Sequence, residues 1–467
     1  MSLGSSARIV MPPLKYLNIL RAEGIGSVRR RLQDRLQERS RRYGFRSLEH
    51  DGSLDARLPG LPVLNFSPLP LAARFGGVPL QLSARLGKEA LERPVALLYP
   101  IGRHYRLEVQ AGAWRRSLEF ERPESLLPSS IGESLERVIK VVTARLRTTA
   151  VHFEGAAGVP LQSVLKLAQE GINFVFTIHD FAFFCSRPNL LEEPQLRFCD
   201  YSTDLTRCHA CLSASQPTSS DAQFKHRELA RQVMRAALAL VYPSEFLQRK
   251  HQELFPEVDR PRRELVIEPA LNLPLAAGPS ERKSTRPYHV ALVGSVTVGK
   301  GALIFEETVL RMRNRDSTRV RWSVFGGGEH KTTARLRGLP EVEVHGYFRA
   351  GTLPLLLRRY KVDLALLLSV VPESFGLTLS ECWAAGVPVV AFAHGAVADR
   401  VRKHRGGVLV SANAGSMGIA ETVEALARGE QVAPKIEGVA KLATPLDAAT
   451  AYRRLYEELA LLPITGG

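Results

Sequence analysis

At 467 residues, the chain is too long for one ordinary core, and two domains with extensions are expected. Its composition, 45% hydrophobic and 24% charged, is that of a globular protein. With no apolar run long enough to span a bilayer and no basic start followed by an apolar core, it argues against a membrane-spanning or signal-led chain and predicts a cytoplasmic one. The formal net charge of +16 would draw nucleic acid, anionic lipid headgroups or phosphorylated small molecules, and does not choose among them.

Much of that charge lies near the start, where Arg29, Arg30, Arg31, Arg35, Arg39, Arg41, Arg42 and Arg46 crowd one segment. Ile25, Leu32 and Leu36 recur among them at rough helical spacing. The reading is a basic, helical N-terminal extension over residues 1–60, either a contact with an anionic membrane surface or a solvated arm. From residue 61 the pattern changes. LPVLNFSPLP reads as a strand and its exit, FGGVPLQLSARLGKEAL as a Gly-opened turn into an amphipathic helix, and RPVALLYP as a buried strand. TTAVHFEG, INFVFTIHD and LALVYPSEF are further short apolar runs with helical patterns between them. Such alternation predicts a doubly wound α/β domain over residues 61–275.

Four cysteines interrupt that domain, Cys185, Cys199, Cys208 and Cys211, whereas Cys382 stands alone. In a cytoplasmic protein the grouping argues against disulfides. Cys208-x-x-Cys211 is a good two-point chelate, and two more thiolates would complete a tetrahedral structural Zn²⁺ site; the alternative is four reduced thiols. AAGPSERKSTRP then reads as a linker over residues 276–287. A second alternation follows over residues 288–445, through YHVALVGSV, RVRWSVFGGG, VEVHGYF, VDLALLLSV, VPVVAFA and GGVLVSA. Two tandem Rossmann-like domains would place the carboxyl ends of their strands across a shared cleft, where such sheets bind ligands. The last helical pattern, within residues 446–467, has no strand after it and suits either domain.

The stretch VPESFGLTLSECWAAGVPVV, Val371 to Val390, concentrates the chemistry. Read as strand exit, glycine bend and helix, it puts the backbone N–H groups of Phe375, Gly376, Leu377 and Thr378 at a helix N-terminus suited to a phosphate or diphosphate. Glu373 in the bend and Glu381 one turn into the helix would accept from hydroxyls on either side of that anion, as the diols of a nucleotide sugar require. Two glutamates at this spacing are weak evidence by themselves.

The run E-S-F-G-L-T-L-S-E-C-W-A-A-G-V-P-V-V resembles the donor-binding signature of glycosyltransferase family 4, retaining enzymes of the GT-B fold. The resemblance extends through most of the chain from residue 61: Gly76-Gly77 after the first strand, TIHD at Thr177–Asp180, YPSEF at Tyr242–Phe246, GSVTVGKG at Gly294–Gly301, FGGG at Phe325–Gly328 and VHGYF at Val344–Phe348. It implies that Glu373 binds the hydroxyls of the donor sugar and Glu381 the ribose. Lys300, with Gly294 in the same loop, would neutralise the diphosphate of a UDP- or GDP-sugar. His179 would stand beside the transferred sugar, with Gly76 and Gly77 on the acceptor side.

Transfer in that family needs no metal, and the final helix looks like its crossover helix. The cysteine spacing resembles that of a subset making bacterial surface polysaccharides. A glycan or lipid-linked acceptor at the inner membrane face is implied.

The sequence departs from the family in one place: no arginine follows the loop glycine at Ser295, and the loop is a residue short, so that diphosphate neutralisation rests on Lys300, the helix N-terminus and an arginine from elsewhere. A Walker A reading fails because Gly301 follows Lys300, and a Rossmann dinucleotide fingerprint is weak. Two other functions are weighed: a GT-B sugar-nucleotide epimerase, disfavoured by the paired glutamates, and a basic zinc-containing nucleic-acid-binding or scaffold protein. No aromatic-basic interleaving supports the latter.

Overall fold

A computed structural model describes residues 63–70, 77–121, 128–258, 263–275, 286–313, 320–349, 351–459 and 461. The basic extension read over residues 1–60, Gly76 and most of the linker fall outside the described residues.

The first sheet begins with β1 (Val63–Phe66), β2 (Val95–Ile101), β3 (His104–Ala111) and β4 (Trp114–Glu121). It continues through β5 (Ala150–Glu154) and β6 (Asn173–Thr177). A two-stranded ribbon, β7 (Leu191–Glu192) and β8 (Arg197–Phe198), precedes its last members, β9 (Ala239–Tyr242) and β10 (Arg263–Val266). The order is β10-β9-β6-β5-β1-β2-β3-β4. Strands β1, β2, β5, β6, β9 and β10 pair in parallel, and β5 is buried at every position because helices cover both faces. The chain reverses direction across this sheet between β1 and β5, the switch point where ligands bind.

The sequence reading did not anticipate β3 and β4. They form an antiparallel hairpin added to the edge of the parallel sheet, in register from Val95↔Gln110 to Ala111↔Trp114. The period-two burial of HYRLEVQA, with Tyr105, Leu107 and Val109 inward, carries that signal in plain view.

The second sheet contains β11 (Tyr288–Val293), β12 (Val320–Phe325), β13 (Val342–Gly346), β14 (Leu364–Leu367), β15 (Val389–Phe392) and β16 (Gly407–Val410). It is parallel throughout, in the order β13-β12-β11-β14-β15-β16. Its switch point lies between β11 and β14. The glycines there are steric necessities. Gly326 has φ +151°, and a Cβ on it would lie 1.7 Å from the Gly294 carbonyl oxygen, so the β11 and β12 exits touch backbone to backbone.

The helix Pro445–Glu458 follows the second sheet in sequence and packs on the first. It starts from a capping box of Thr444 and Asp447 with Pro445 in its first turn. Tyr452, Leu455 and Tyr456 bury against Val63, Ala150, Val175, Ala239 and Val241. The Tyr456 hydroxyl meets His152 Nδ1 at 2.6 Å, and His152 Nε2 meets Thr177 Oγ1 at 2.7 Å. Nearer the cleft, the Ser244 hydroxyl donates to the Ser374 carbonyl at 2.6 Å, and Arg249 pairs with Asp399 at 2.9 Å. The two domains are therefore joined beside the glutamate loop.

Candidate functional site

A cleft of about 420 Å³ opens between the carboxyl ends of the two sheets. Gly77, His179, Gly294, Lys300, Glu373, Phe375, Gly376, Leu377, Thr378 and Glu381 all line it. Sequence-distant loops thus meet because each leaves its sheet at the same end.

The loop after β11 turns through Gly294 (φ +104°) and closes on a short helical turn, Val298–Lys300, whose Lys300 N–H is capped by Thr297 Oγ1 at 3.2 Å. The Gly299 carbonyl accepts from Val370 N at 3.0 Å and from the Ser369 hydroxyl at 3.3 Å, which ties this loop to the exit of β14. Lys300 Nζ meets Glu373 Oε1 at 2.5 Å. The two side chains are 44% and 25% exposed, so the pair lies open to the cleft and to any ligand that competes for either member.

Beyond Glu373 the helix Leu377–Ala384 begins from Gly376 at φ +81°, with no side-chain cap and no acid in its first turn. Its first amides therefore stay available to an anion. Glu381 is 8% exposed, and burial raises its carboxyl to about 7, opposed only by the Gly351 N–H. Folding thus favours its protonated form, and this group alone makes stability fall as pH rises from its ordinary value towards 7. Hydroxyl donors on a bound ligand would reverse that preference, so nucleotide binding is expected to tighten as pH rises towards about 7 and to level off above it. Calorimetric titration across that range checks this, with Glu381→Gln losing the dependence.

Across the cleft, His179 leaves β6 with its Nδ1 at 3.2 Å from Gln81 Nε2. The His179 Nε2 is buried with no hydrogen-bond partner among the described residues, 3.8 Å from Glu154 Oε2. Burial alone would raise the Glu154 carboxyl, but the Arg85 guanidinium in contact with it, helped by His152 and His179, holds it at about 2. Gln81, Arg85 and Glu154 were not read from the sequence. Gln81 follows Gly77 by one helical turn, and that spacing places both on one face.

The four cysteines lie apart from the cleft, around one cavity of about 30 Å³ shared with Glu192, Arg207 and Arg227. Arg187 N donates to Cys185 Sγ at 3.4 Å, Glu193 N to Cys211 Sγ at 3.4 Å, and Arg227 Nη2 to Cys208 Sγ at 3.7 Å. Burial pushes the Cys185 thiol up to about 11, with neighbouring thiols adding to it. Among the described residues no three His, Cys, Asp or Glu side chains form a group arranged to hold a metal ion. Cys382 is buried in the second domain, beside Trp383.

Residues 287–428 match the family model described as Glycosyl transferases group 1. The chain carries a glycosyltransferase domain. That domain covers every second-sheet residue of the cleft. Solved structures share the whole two-domain arrangement. Sucrose-phosphate synthase from Thermosynechococcus elongatus is similar at 16% identity and TM-score 0.60, over 85% of this chain and 99% of its own. HepE of Anabaena, solved with UDP-glucose, is similar at 16% identity and TM-score 0.54, over 86% of this chain and 100% of its own. A glycosyltransferase from Rickettsia africae is similar at 14% identity and TM-score 0.56, over 85% of this chain and 98% of its own. These likenesses establish the GT-B fold. No curated protein sequence matches the chain. Among the described residues no helix is long and apolar enough to cross a membrane.

Proposed function

We propose that the chain is a retaining glycosyltransferase that moves a sugar from a UDP- or GDP-linked donor to a glycan or lipid-linked acceptor in bacterial cell-surface polysaccharide assembly. The observation that carries this reading is the convergence of Lys300, Glu373, an uncapped helix N-terminus and Glu381 on one cleft at the switch point of the glycosyltransferase domain. The ribose sits against Glu381, the diphosphate on the amides and Lys300, and the sugar between Glu373 and His179. Lys300 exchanges its contact with Glu373 for the diphosphate, which frees the Glu373 carboxylate for sugar hydroxyls.

In the reaction the bond from the anomeric carbon to the diphosphate oxygen breaks, and the acceptor oxygen bonds to that carbon from the same face. The acceptor proton passes to the departing diphosphate. Lys300 and the amides stabilise the charge that develops there, the kind of fixed electrostatic assistance that lowers such barriers most. No enzyme nucleophile takes part. The basic segment over residues 1–60 would hold the protein at the inner face of the membrane, near a lipid-linked acceptor.

The test is a panel of UDP- and GDP-sugars with mass detection of the released nucleoside diphosphate and NMR of the product's anomeric centre. Release from one donor class with retained configuration supports the reading. No release from any donor, or an inverted product, refutes it.

A structural zinc ion held by Cys185, Cys199, Cys208 and Cys211 is part of the same proposal. The donor set, four thiols bordering one cavity, suits a soft divalent cation, which would have to draw them into a closer group than they form here. The helix Leu205–Ser213 beside it buries no residue of its own, so the segment has little apolar anchoring. The ion would pin this segment and take no part in transfer. Metal analysis should find stoichiometric zinc in the purified protein and none in Cys208→Ser; its absence from the wild-type protein refutes the site.

A further inference from the structure

The sequence leaves the diphosphate loop without an arginine, and the fold puts one behind the neighbouring loop. Arg400 lies in the helix Gly395–His404 and is 7% exposed. Its Nη1 donates to the Phe375 carbonyl at 3.3 Å and the Gly376 carbonyl at 3.1 Å, and its Nη2 to Ser380 Oγ at 2.9 Å. The guanidinium also stacks 4.0 Å from the Phe375 ring centroid. Among the described residues it forms no ion pair with a carboxylate; Glu268 acts on it only at a distance. A buried cation held by carbonyl, hydroxyl and aromatic groups of residues 375–380 is costly to keep unless it does something for that segment.

Peptide geometry indicates what it does. In a trans peptide the C=O and N–H point in opposite directions. The Phe375 carbonyl shares its peptide with the Gly376 N–H, and the Gly376 carbonyl shares its peptide with the Leu377 N–H. Holding both carbonyls back towards Arg400 turns both N–H groups the other way, and Gly376 and Leu377 line the cleft. The same helix also holds the start of the loop, since Ala396 N donates to the Glu373 carbonyl at 2.9 Å. A Cβ on Gly376 would lie 2.4 Å from Val397, so the loop backbone packs directly on this helix.

We propose that Arg400 is a positioning residue for the donor diphosphate, aiming the Gly376 and Leu377 amides at it from beneath and adding a positive charge with no ion-paired carboxylate among the described residues. This rests on the donor-site reading above. It makes Arg400 the cation that replaces the missing loop arginine without touching the ligand.

The experiment measures binding of UDP, GDP, uridine and guanosine to wild type, Arg400→Met and Arg400→Lys by calorimetric or NMR titration, with melting curves for each. For whichever diphosphate wild type binds, Arg400→Met should weaken it by roughly tenfold or more while leaving the matching nucleoside unchanged. Arg400→Lys, which keeps the charge but cannot bridge both carbonyls, should recover part of the loss and carries the test if the Met variant does not fold. Equal weakening of diphosphate and nucleoside, or an unchanged diphosphate affinity, overturns the proposal. Failure of wild type to bind either diphosphate would instead overturn the donor-site reading, and this proposal with it.

Discussion

Glu373→Gln should reduce kcat/KM on the order of 10²–10³-fold while leaving the fold intact. The substitution preserves shape and removes the charge that Lys300 Nζ meets at 2.5 Å. Two consequences separate this from generic damage. The free nucleoside diphosphate should bind at least as well, because Lys300 no longer has to leave a carboxylate partner. The donor sugar should bind more weakly, because its hydroxyls lose a charged acceptor. Lys300→Ala should reverse that order, weakening nucleoside diphosphate first. Combined, the two changes should cost much less than their separate effects multiplied, since each disables the same exchange of partners. Steady-state kinetics with the donor found in the panel, together with titration of free UDP or GDP, checks all of this. Fully multiplicative effects would show that the two residues act independently rather than by exchange, and no loss from either change would show a surface ion pair unconnected to the donor.

Arg85→Met should destabilise the first domain by about 3–5 kcal/mol, because it strands the Glu154 carboxylate in a buried site. Arg85 and Glu154 side chains are each 4% exposed and in direct contact. Arg85 also lies 3.9 Å over the Tyr452 ring, so the loss extends to the docked C-terminal helix. The pH dependence has a definite sign. The folded-state value of Glu154 is held at about 2, below its ordinary 4.5. Its stabilising contribution is therefore present above 4.5 and drains away as pH falls towards 2. Arg85→Met removes that contribution, so the gap between variant and wild type should be widest near neutral pH and narrow in acid. Urea unfolding followed at pH 7 and again near pH 4 measures it. A loss below about 1 kcal/mol, the range of an exposed pair, would mean that the pair is solvated.

Much of this architecture was legible from the chain because buried parallel strands read as unbroken apolar runs. The runs at VALLYP, INFVFT and VALV stand in the structure as β2, β6 and β11. The stretch from Glu373 to Glu381 was legible as a candidate site because glycine, small residues and carboxylates follow a strict order there, and the fold brings Glu373, Gly376, Thr378 and Glu381 to one cleft.

What escaped reading depends on contacts between distant segments. RVRKHR looks like a solvated basic helix end, and Arg402 and Lys403 are indeed exposed, yet Arg400 points inward. The signal was its phase, since it falls with Val397 and Val401 on the buried stripe. Arg85 and Glu154 escaped for a like reason, because their pairing joins a helix to a strand end far along the chain. The β3–β4 hairpin was readable from its alternation alone. The pairing of Lys300 with Glu373 was not, since nothing in either loop's sequence says that the two side chains meet.

The most direct test of the central claim is calorimetric titration of UDP and GDP into the wild-type protein and Glu381→Ala. The cleft geometry predicts saturable binding of one nucleoside diphosphate to wild type, weakened by roughly tenfold or more when the buried carboxylate proposed to face the ribose is removed. Binding of neither nucleotide to wild type, or undiminished affinity in Glu381→Ala, would contradict it.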